Sequence, residues 1–532
     1  MKLDLLVKNA RIVNGLGAPW FRGSVGVARG RIAAMGAAAE GASAAVVLDA
    51  EDRYLAPGFV DMHTHSDFDL LRSPEALGKL RQGITTQAIG QCGFSAAPVS
   101  DEHLSLLDNY TGFIKAGVVP DWTWRSFGQW LAKLETLPLG GNVASFVGHG
   151  TVRIAVMGFA DRPATPQEAA RMRSMVEQCM AEGAVGMTSG LVYAPGVYTP
   201  AEEMAAVARG LAPWRGLYES HMRNESDAVV QSVVELIAVG RSAGIPVQIS
   251  HHKACGQQNY GLVGETLALV DQARAEGLDV TMNFYPYDAA STTLRAILPA
   301  WAQEGGVDKL IERLASPEVR TRLAAEVEAA ACSWDNYYRN CGGADGVILL
   351  FFPRTPEYEG LTLAQAAERM GRTPVDAACE LIVANRGEDN CGYRMISEAD
   401  MERIMRHPAA LVASDSIPCP PGGKAHPRSY SAFPRVLDRY VRQRRVISLE
   451  EAVRKMSAFP AQRLGLHDRG VIAPGMAADL VLLDMDRIRD RATFADPAAA
   501  PEGIDCVVVN GVVCMERGQP TGASPGAVLR SR

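Results

Sequence analysis

Two histidines one residue apart, His63 and His65, close the apolar run "LAPGFVDMHTH". In a strand, residues two apart point to the same side, so both imidazoles can converge on one point just past the strand's last apolar residue. That is a chelate geometry, and the chain holds only 10 histidines in 532 residues. Donors of compatible type close four other apolar runs: Cys92 in "ITTQAIGQC", His221 in "GLYESH", His251 in "PVQISHH" and Asp415 in "ALVASDS". Borderline-soft nitrogen and sulfur ligands with one carboxylate are a transition-metal set, and zinc is the metal they suit best. A lone Cys92 would read as a buried, inert thiol; its position at a strand end among imidazoles makes it a ligand candidate. His252 follows His251 directly and points to the other side of its strand, so it is structural. His149 in "FVGHG" also ends a strand and is a candidate for contact with substrate or support of a ligand.

The elements that must position these groups can be read from the same runs. Eight short apolar segments bounded by turn signals lie between Gly58 and Asp415: "GFVDMHTH", "ITTQAIGQC", "VASFVGHG", "AVGMTSGL", "GLYESH", "PVQISHH", "VTMNFYP" and "ALVASDS". Helix-like stretches such as "TPQEAARMRSMVEQCMAEG" and "AVVQSVVELIAVGRSAG" separate them. Near-continuous apolar strands alternating with helices predict an α/β fold, a (β/α)8 TIM barrel whose strand ends share one mouth. The stretch from Pro286 to Ala409 is too long for one crossover, and its middle, "VDKLIERLASPEVRTRLAAEVEAAACSW", reads as helical. An insertion leaving that end of the barrel is expected to form a lid, at about residues 295–360. Both chain ends alternate in β fashion, in "DLLVKNARIVNG" and "GSVGVARGRIAAMG" at one end and "ADLVLLDMD" and "DCVVVNGVVCMERG" at the other. The expected organisation is a small discontinuous β-sandwich from residues 1–57 and 466–532 around a catalytic barrel at 58–465.

Composition narrows the partners. A net charge of -7 argues against a nucleic-acid or anionic-membrane surface, which needs clustered basic residues to replace counterions. No run of about 18 apolar residues suggests a membrane span, and the charged N-terminus lacks a signal-peptide core, so a cytoplasmic location is expected. Ten scattered cysteines without CxxC spacing fit reduced thiols rather than a disulfide framework. A small molecule is the expected partner; the sequence sets no oligomeric state.

"PGFVDMHTH" followed by late His, His and Asp strand ends resembles the metal-dependent amidohydrolase superfamily. The finer motifs "GITTQAIGQCGFS", "EGAVGMTSGLVYAPG", "ESHMRNE", "QISHHK", "NFYPYDAAST" and "ADLVLLD" resemble its N-acyl-D-amino-acid deacylase (D-aminoacylase) branch, across nearly the whole chain. Much of the superfamily bridges two metals with a carboxylated lysine on the fourth strand, and "AVGMTSGL" has no lysine. The resemblance implies that Cys92 takes that place, with Cys92, His221 and His251 holding a tightly bound Zn2+ and His63, His65 and Asp415 surrounding a second, weaker position.

A metal ion lowers the pKa of bound water from 15.7 to about 7 and polarises an amide carbonyl, so the expected chemistry is hydrolysis by metal-bound hydroxide. Asp415 can take the proton of the attacking water and pass it to the leaving amine, in addition to binding metal. The substrate implied is an N-acyl-D-amino acid; its handedness comes from the resemblance alone. The substrate's carboxylate needs an anion clamp, for which Lys253, just beyond His251, and Arg428, in the loop after Asp415, are the candidates. The resemblance adds Tyr285 and Ser291 as hydrogen-bond donors, Tyr193 lines the pocket, and Arg223 and Glu225 are expected to pair in support. Glu219, two residues before His221, is either an extra carboxylate beside the metal or a deeper ion-pair partner. A cyclic-amide hydrolase of the dihydroorotase or hydantoinase kind is the nearest competing function, disfavoured by the missing fourth-strand lysine and by the Lys253 and Arg428 pair. A scaffold that lost catalysis would be expected to lose ligands, and this chain retains the full set.

Overall fold

The computed structural model describes residues 2–115, 117–420 and 422–531. All eight expected segments form parallel barrel strands: Phe59–Asp61, Ile84–Ile89, Asn142–Ser145, Gly186–Gly190, Leu217–His221, Val247–Ile249, Val280–Phe284 and Ala410–Val412. Register runs unbroken from the fourth to the eighth, through Thr188 opposite Glu219, Glu219 opposite Gln248, Gln248 opposite Thr281, and Met282 opposite Ala410. The third strand is split. Asn142–Ser145 pairs with the second strand, and after Phe146 the chain resumes as Val147–Gly148 beside the fourth. Among the described residues the barrel closes through a single bridge between Thr64 and Ser416.

The helices form where local signals demand. Thr165 and Glu168 make a reciprocal capping box at the start of Pro166–Ala181, and Gly244, in the left-handed region at φ 69°, stops Val229–Ala243. Their apolar faces, with Met172 and Val176 on one and Val233 and Leu236 on the other, are buried in the large core that surrounds the barrel.

Strands from the two chain ends join in one nine-stranded sheet. The junction is the antiparallel pairing of Leu480–Leu483 with Tyr54–Pro57, and the sheet encloses its own core of residues such as Leu5, Val25, Ile32, Leu482 and Val508. The extreme C-terminus has a role that its sequence does not announce: Val528–Leu529 lies parallel to Val143 and Ala144 of the third barrel strand.

Between the seventh and eighth strands the helices Val307–Leu314 and Pro317–Val327 stand where the sequence reads as helical. The same excursion also contains a three-stranded antiparallel sheet, Ala289–Thr292, Asn390–Arg394 and Val347–Phe351, that hydrophobic patterning did not reveal.

Candidate metal centre

The strand ends bring all six expected ligands to one mouth. Donor atoms of Cys92, His221 and His251 lie within 4.8 Å of one another, as do those of His63, His65 and Cys92 and those of His63, His251 and Asp415. Cys92 Sγ stands 3.2 Å from His63 Nε2 and 3.4 Å from His251 Nε2. Asp415 Oδ1 is 3.3 Å from His65 Nε2 and 3.5 Å from His63 Nε2. Three of these residues reach the centre from strained backbone, with φ of 51° at Cys92, 32° at His251 and 48° at Asp415. A left-handed non-glycine residue costs on the order of 1–3 kcal/mol and persists where the surroundings over-determine it.

Carboxylates behind the imidazoles fix which nitrogen faces the centre. His63 Nδ1 lies 2.7 Å from Glu219 Oε1, and His251 Nδ1 lies 3.0 Å from Glu225 Oε1. A carboxylate only accepts, so Nδ1 of His63 carries the proton and its Nε2 lone pair is turned toward Cys92, whereas His251 Nδ1 faces both Glu225 Oε1 and the Lys253 ammonium, the latter at 2.8 Å. Glu219 therefore belongs to the metal centre's support. It sits fully buried inside the barrel, where it also accepts from Asn283 Nδ2 at 2.7 Å, Gln248 Nε2 at 2.9 Å and Ser250 Oγ at 3.0 Å.

The residues present fit a cation. Burial, and then the charges of Asp415, Glu219 and Glu225, push the Cys92 thiol well above its usual range, so a thiolate there requires a positive ion among the ligands. Burial holds His221 and His251 well below 6.5, which leaves neutral imidazoles able to ligate. The Nδ1 atoms of His65 and His221 are buried without a hydrogen-bond partner among the described residues. Burial would raise Asp415, but Arg428, whose Nη2 donates to Oδ2 at 2.8 Å, keeps it well below the carboxylate range.

Around the ligands lies a pocket with an empty volume of about 330 Å³, lined on the substrate side by Phe113, Tyr193, Lys253, Tyr285, Ser291 and Tyr337. Arg428 is fully buried and opens the helix Arg428–Arg435, so it is held more firmly than a loop residue. Its guanidinium carbon lies 4.4 Å from the centre of the Tyr285 ring, and its Nε and Nη1, like Tyr285 Oη, have no hydrogen-bond partner among the described residues. Ser291 donates to Asn390 Oδ1 at 2.6 Å, and the Tyr193 and Thr292 hydroxyls are 2.9 Å apart. Lys253 Nζ is occupied, 2.7 Å from each oxygen of Glu225 and 2.8 Å from His251 Nδ1.

Two expectations need correction. Arg223 and Glu225 do not pair: the fifth strand ends at His221, the chain turns, and Arg223 reaches Glu235 at 2.7 Å while Glu225 takes Lys253. His149 does not line the pocket; it is buried at the start of the helix His149–Met157, because the third strand stops at Gly148. Tyr337 is a site residue that sequence reasoning missed, with its hydroxyl 3.3 Å from His221 Nε2 and its place in the excursion between strands seven and eight. His252, by contrast, turns away as expected and bonds Thr266 Oγ1 at 2.8 Å.

A family model described as "Amidohydrolase family" matches residues 46–515. The chain belongs to the amidohydrolase family. Among relatives of this amidohydrolase, an N-acyl-D-glutamate deacylase of Alcaligenes xylosoxydans xylosoxydans is 35% identical, covering 99% of this chain and 97% of its own. A D-aminoacylase of the same organism is 34% identical at the same coverage. The crystal structure of the N-acyl-D-glutamate deacylase of Bordetella bronchiseptica, complexed with zinc and a phosphonate mimic of the tetrahedral intermediate, is similar over 100% of both chains, with a TM-score of 0.83 and 34% identity.

Proposed function

We propose that this amidohydrolase removes the acyl group from N-acyl-D-amino acids, with a tightly held Zn2+ at Cys92, His221 and His251 and a weaker position among His63, His65 and Asp415. The observation that carries the reading is the pairing of Asp415 with the buried Arg428 at the metal centre. Asp415 presents Oδ1 to the ligand imidazoles, while its Oδ2 is bonded to Arg428, whose Nη2 also donates to Ser291 O at 3.2 Å and whose Nε and Nη1 remain to receive a second carboxylate. Relatives at 34–35% identity that carry deacylase activity over the full chain support the substrate class, and D handedness is taken from them.

When bound, the metal supplies a Lewis acid for the amide carbonyl and brings the pKa of water to about 7. Asp415 accepts the proton released by the attacking water and returns it to the leaving amine, which must be protonated to depart. Arg428 Nε and Nη1, together with the Tyr285 hydroxyl, hold the substrate carboxylate, and Tyr285 and Ser291 line the pocket. Lys253 adds its charge from the other side, shared with Glu225. Tyr193, Phe113 and Tyr337 exclude water from the reacting amide. The excursion that carries Tyr337 serves as the lid over the mouth of a catalytic barrel at about residues 58–465, with the β-domain assembled from the two ends. All ten cysteines are free, in keeping with a reducing, cytosolic setting, and no helix among the described residues is long and apolar enough to cross a membrane.

Asp415→Asn tests the reading, because an amide cannot take the proton. Turnover of an N-acetyl-D-amino acid should fall at least about 100-fold while zinc at the Cys92 position stays near native. Native turnover at native zinc content would remove Asp415 from the proton path.

A further inference from the structure

Below the metal centre, where the first and eighth barrel strands meet, lies a buried ion pair that does not line the pocket: Asp61, the last residue of the first strand, and Lys79, on the short helix Leu77–Leu80. This seam is unlike the others. Every other pair of adjacent barrel strands shares a ladder of at least two register pairs, and here the strands share the one bridge between Thr64 and Ser416. Yet three of the six ligands, His63, His65 and Asp415, stand on its two sides.

Side chains do the work that the missing ladder would do. Lys79 Nζ donates to Asp61 Oδ2 at 2.6 Å, to Ser414 Oγ at 3.0 Å and to Ser416 Oγ at 2.5 Å, which uses its three protons. Asp61 Oδ1 accepts from the Ser414 backbone N–H at 2.9 Å, and Ser416 Oγ is 2.8 Å from Thr64 Oγ1. Both neighbours of Asp415 are thus tied to the residues that bracket His63, and Asp415 N–H donates to His63 O at 2.9 Å. Asp415 is left in the left-handed region, at φ 48°, between two clamped serines.

We propose that Lys79, with Asp61, is a positioning residue that holds Asp415 in register with His63 and His65. It touches neither substrate nor metal. The inference rests on the role given to Asp415 above, and it predicts an effect on the weaker metal position and on turnover, with little effect on substrate capture or on the Cys92 position.

The test is a set of variants compared per folded protein. Lys79→Met leaves Asp61 buried and unpaired, which threatens folding, so the informative variant is the charge-balanced double Lys79→Met with Asp61→Asn. Ser416→Ala, which removes one acceptor and strands no charge, is the milder companion. Each is loaded with zinc and titrated to resolve the tight and weak positions, and kcat and KM are measured separately. The expected result is a weak-position affinity and a kcat each lowered about 10- to 100-fold in the double variant, less in Ser416→Ala, with KM and tight-position zinc near native. A purely structural role would lower the unfolding midpoint and the folded yield but leave both quantities native in the molecules that fold, and that result would overturn the proposal. If the native protein hydrolyses no N-acyl-D-amino acid, the functional reading fails while the zinc titration still decides the role of Lys79.

Discussion

Replacing Glu219 by glutamine removes one charge and exchanges one acceptor for a donor at the base of the metal centre. Four donors converge on this carboxylate, three on Oε1 and one on Oε2. The least disruptive amide keeps its oxygen toward His63, Asn283 and Ser250 and turns its NH2 against Gln248 Nε2. Gln248 could flip, but its oxygen already accepts from Thr281 Oγ1 at 2.9 Å, so the conflict moves rather than vanishes. One unsatisfied buried donor and three weakened charge-assisted bonds give an expected loss of about 1–3 kcal/mol in stability. The larger effect concerns His63. With a weaker acceptor at Nδ1, the ring loses part of the bias that aims Nε2 at the centre, and such supporting partners are worth about 10- to 100-fold in metal affinity or activity. Zinc competition against a chromophoric chelator, with denaturant unfolding of the metal-free protein, measures both. If Glu219→Gln binds zinc as native does and unfolds at the native midpoint, the carboxylate is packing and the argument is wrong.

Arg428→Met, which also removes the ion pair with Asp415, should lower kcat/KM for an N-acetyl amino acid roughly 10- to 150-fold more than for its carboxamide, from about 1.5–3 kcal/mol for a charge-assisted contact. Equal losses on both substrates would mean that Arg428 only organises Asp415. Burial, with Arg153 nearby, pushes the His149 imidazole down from 6.5 to about 3, so between those pH values the unfolded chain binds a proton that the native chain refuses. Stability is therefore lost as pH falls from 6.5, at up to about 1.4 kcal/mol per pH unit from this residue, and His149→Asn should flatten the slope of unfolding free energy between pH 6.5 and 5. An unchanged slope would refute that assignment. Deleting residues 526–532 removes the pairing of Val528–Leu529, the Gly526 N–H to Leu139 O bond and the Arg530 contacts to Glu135 and to Glu182 O. At about 1 kcal/mol per bond the truncated protein should unfold roughly 2–4 kcal/mol more easily, with kcat retained in the folded fraction; native stability would show the tail to be incidental.

The barrel was legible because its strands are short, apolar and bounded by turn residues, and because a donor at the end of each of five of them can only face the shared mouth. His63, His65, Cys92, His221, His251 and Asp415 follow from that one rule. What escaped depends on distance along the chain or on where a strand stops. Tyr337 comes from 116 residues beyond His221, and no local pattern ties the two. Glu225 follows the fifth strand by four residues, where periodicity no longer predicts direction, so its partnership with Lys253 rather than Arg223 is a product of the turn. The excursion's small sheet was hidden for a related reason: its strands pair across long stretches of chain, Ile348 and Ser291 both opposite Gly392, and each is only four or five residues long. Glu219 was conspicuous in the sequence, and only the barrel register, which sets Gln248 beside it, decides that it supports His63 from below.

The most direct test of the account is hydrolysis of matched N-acetyl-D- and N-acetyl-L-amino acids and hydantoins by the native protein, with zinc content measured on the same sample before and after chelation. The account predicts cleavage of the D series, loss of that activity on removal of zinc, and its return with about one equivalent of added zinc. Preferential cleavage of the L series, ring opening of hydantoins without cleavage of linear amides, or full activity in the metal-free protein would contradict it.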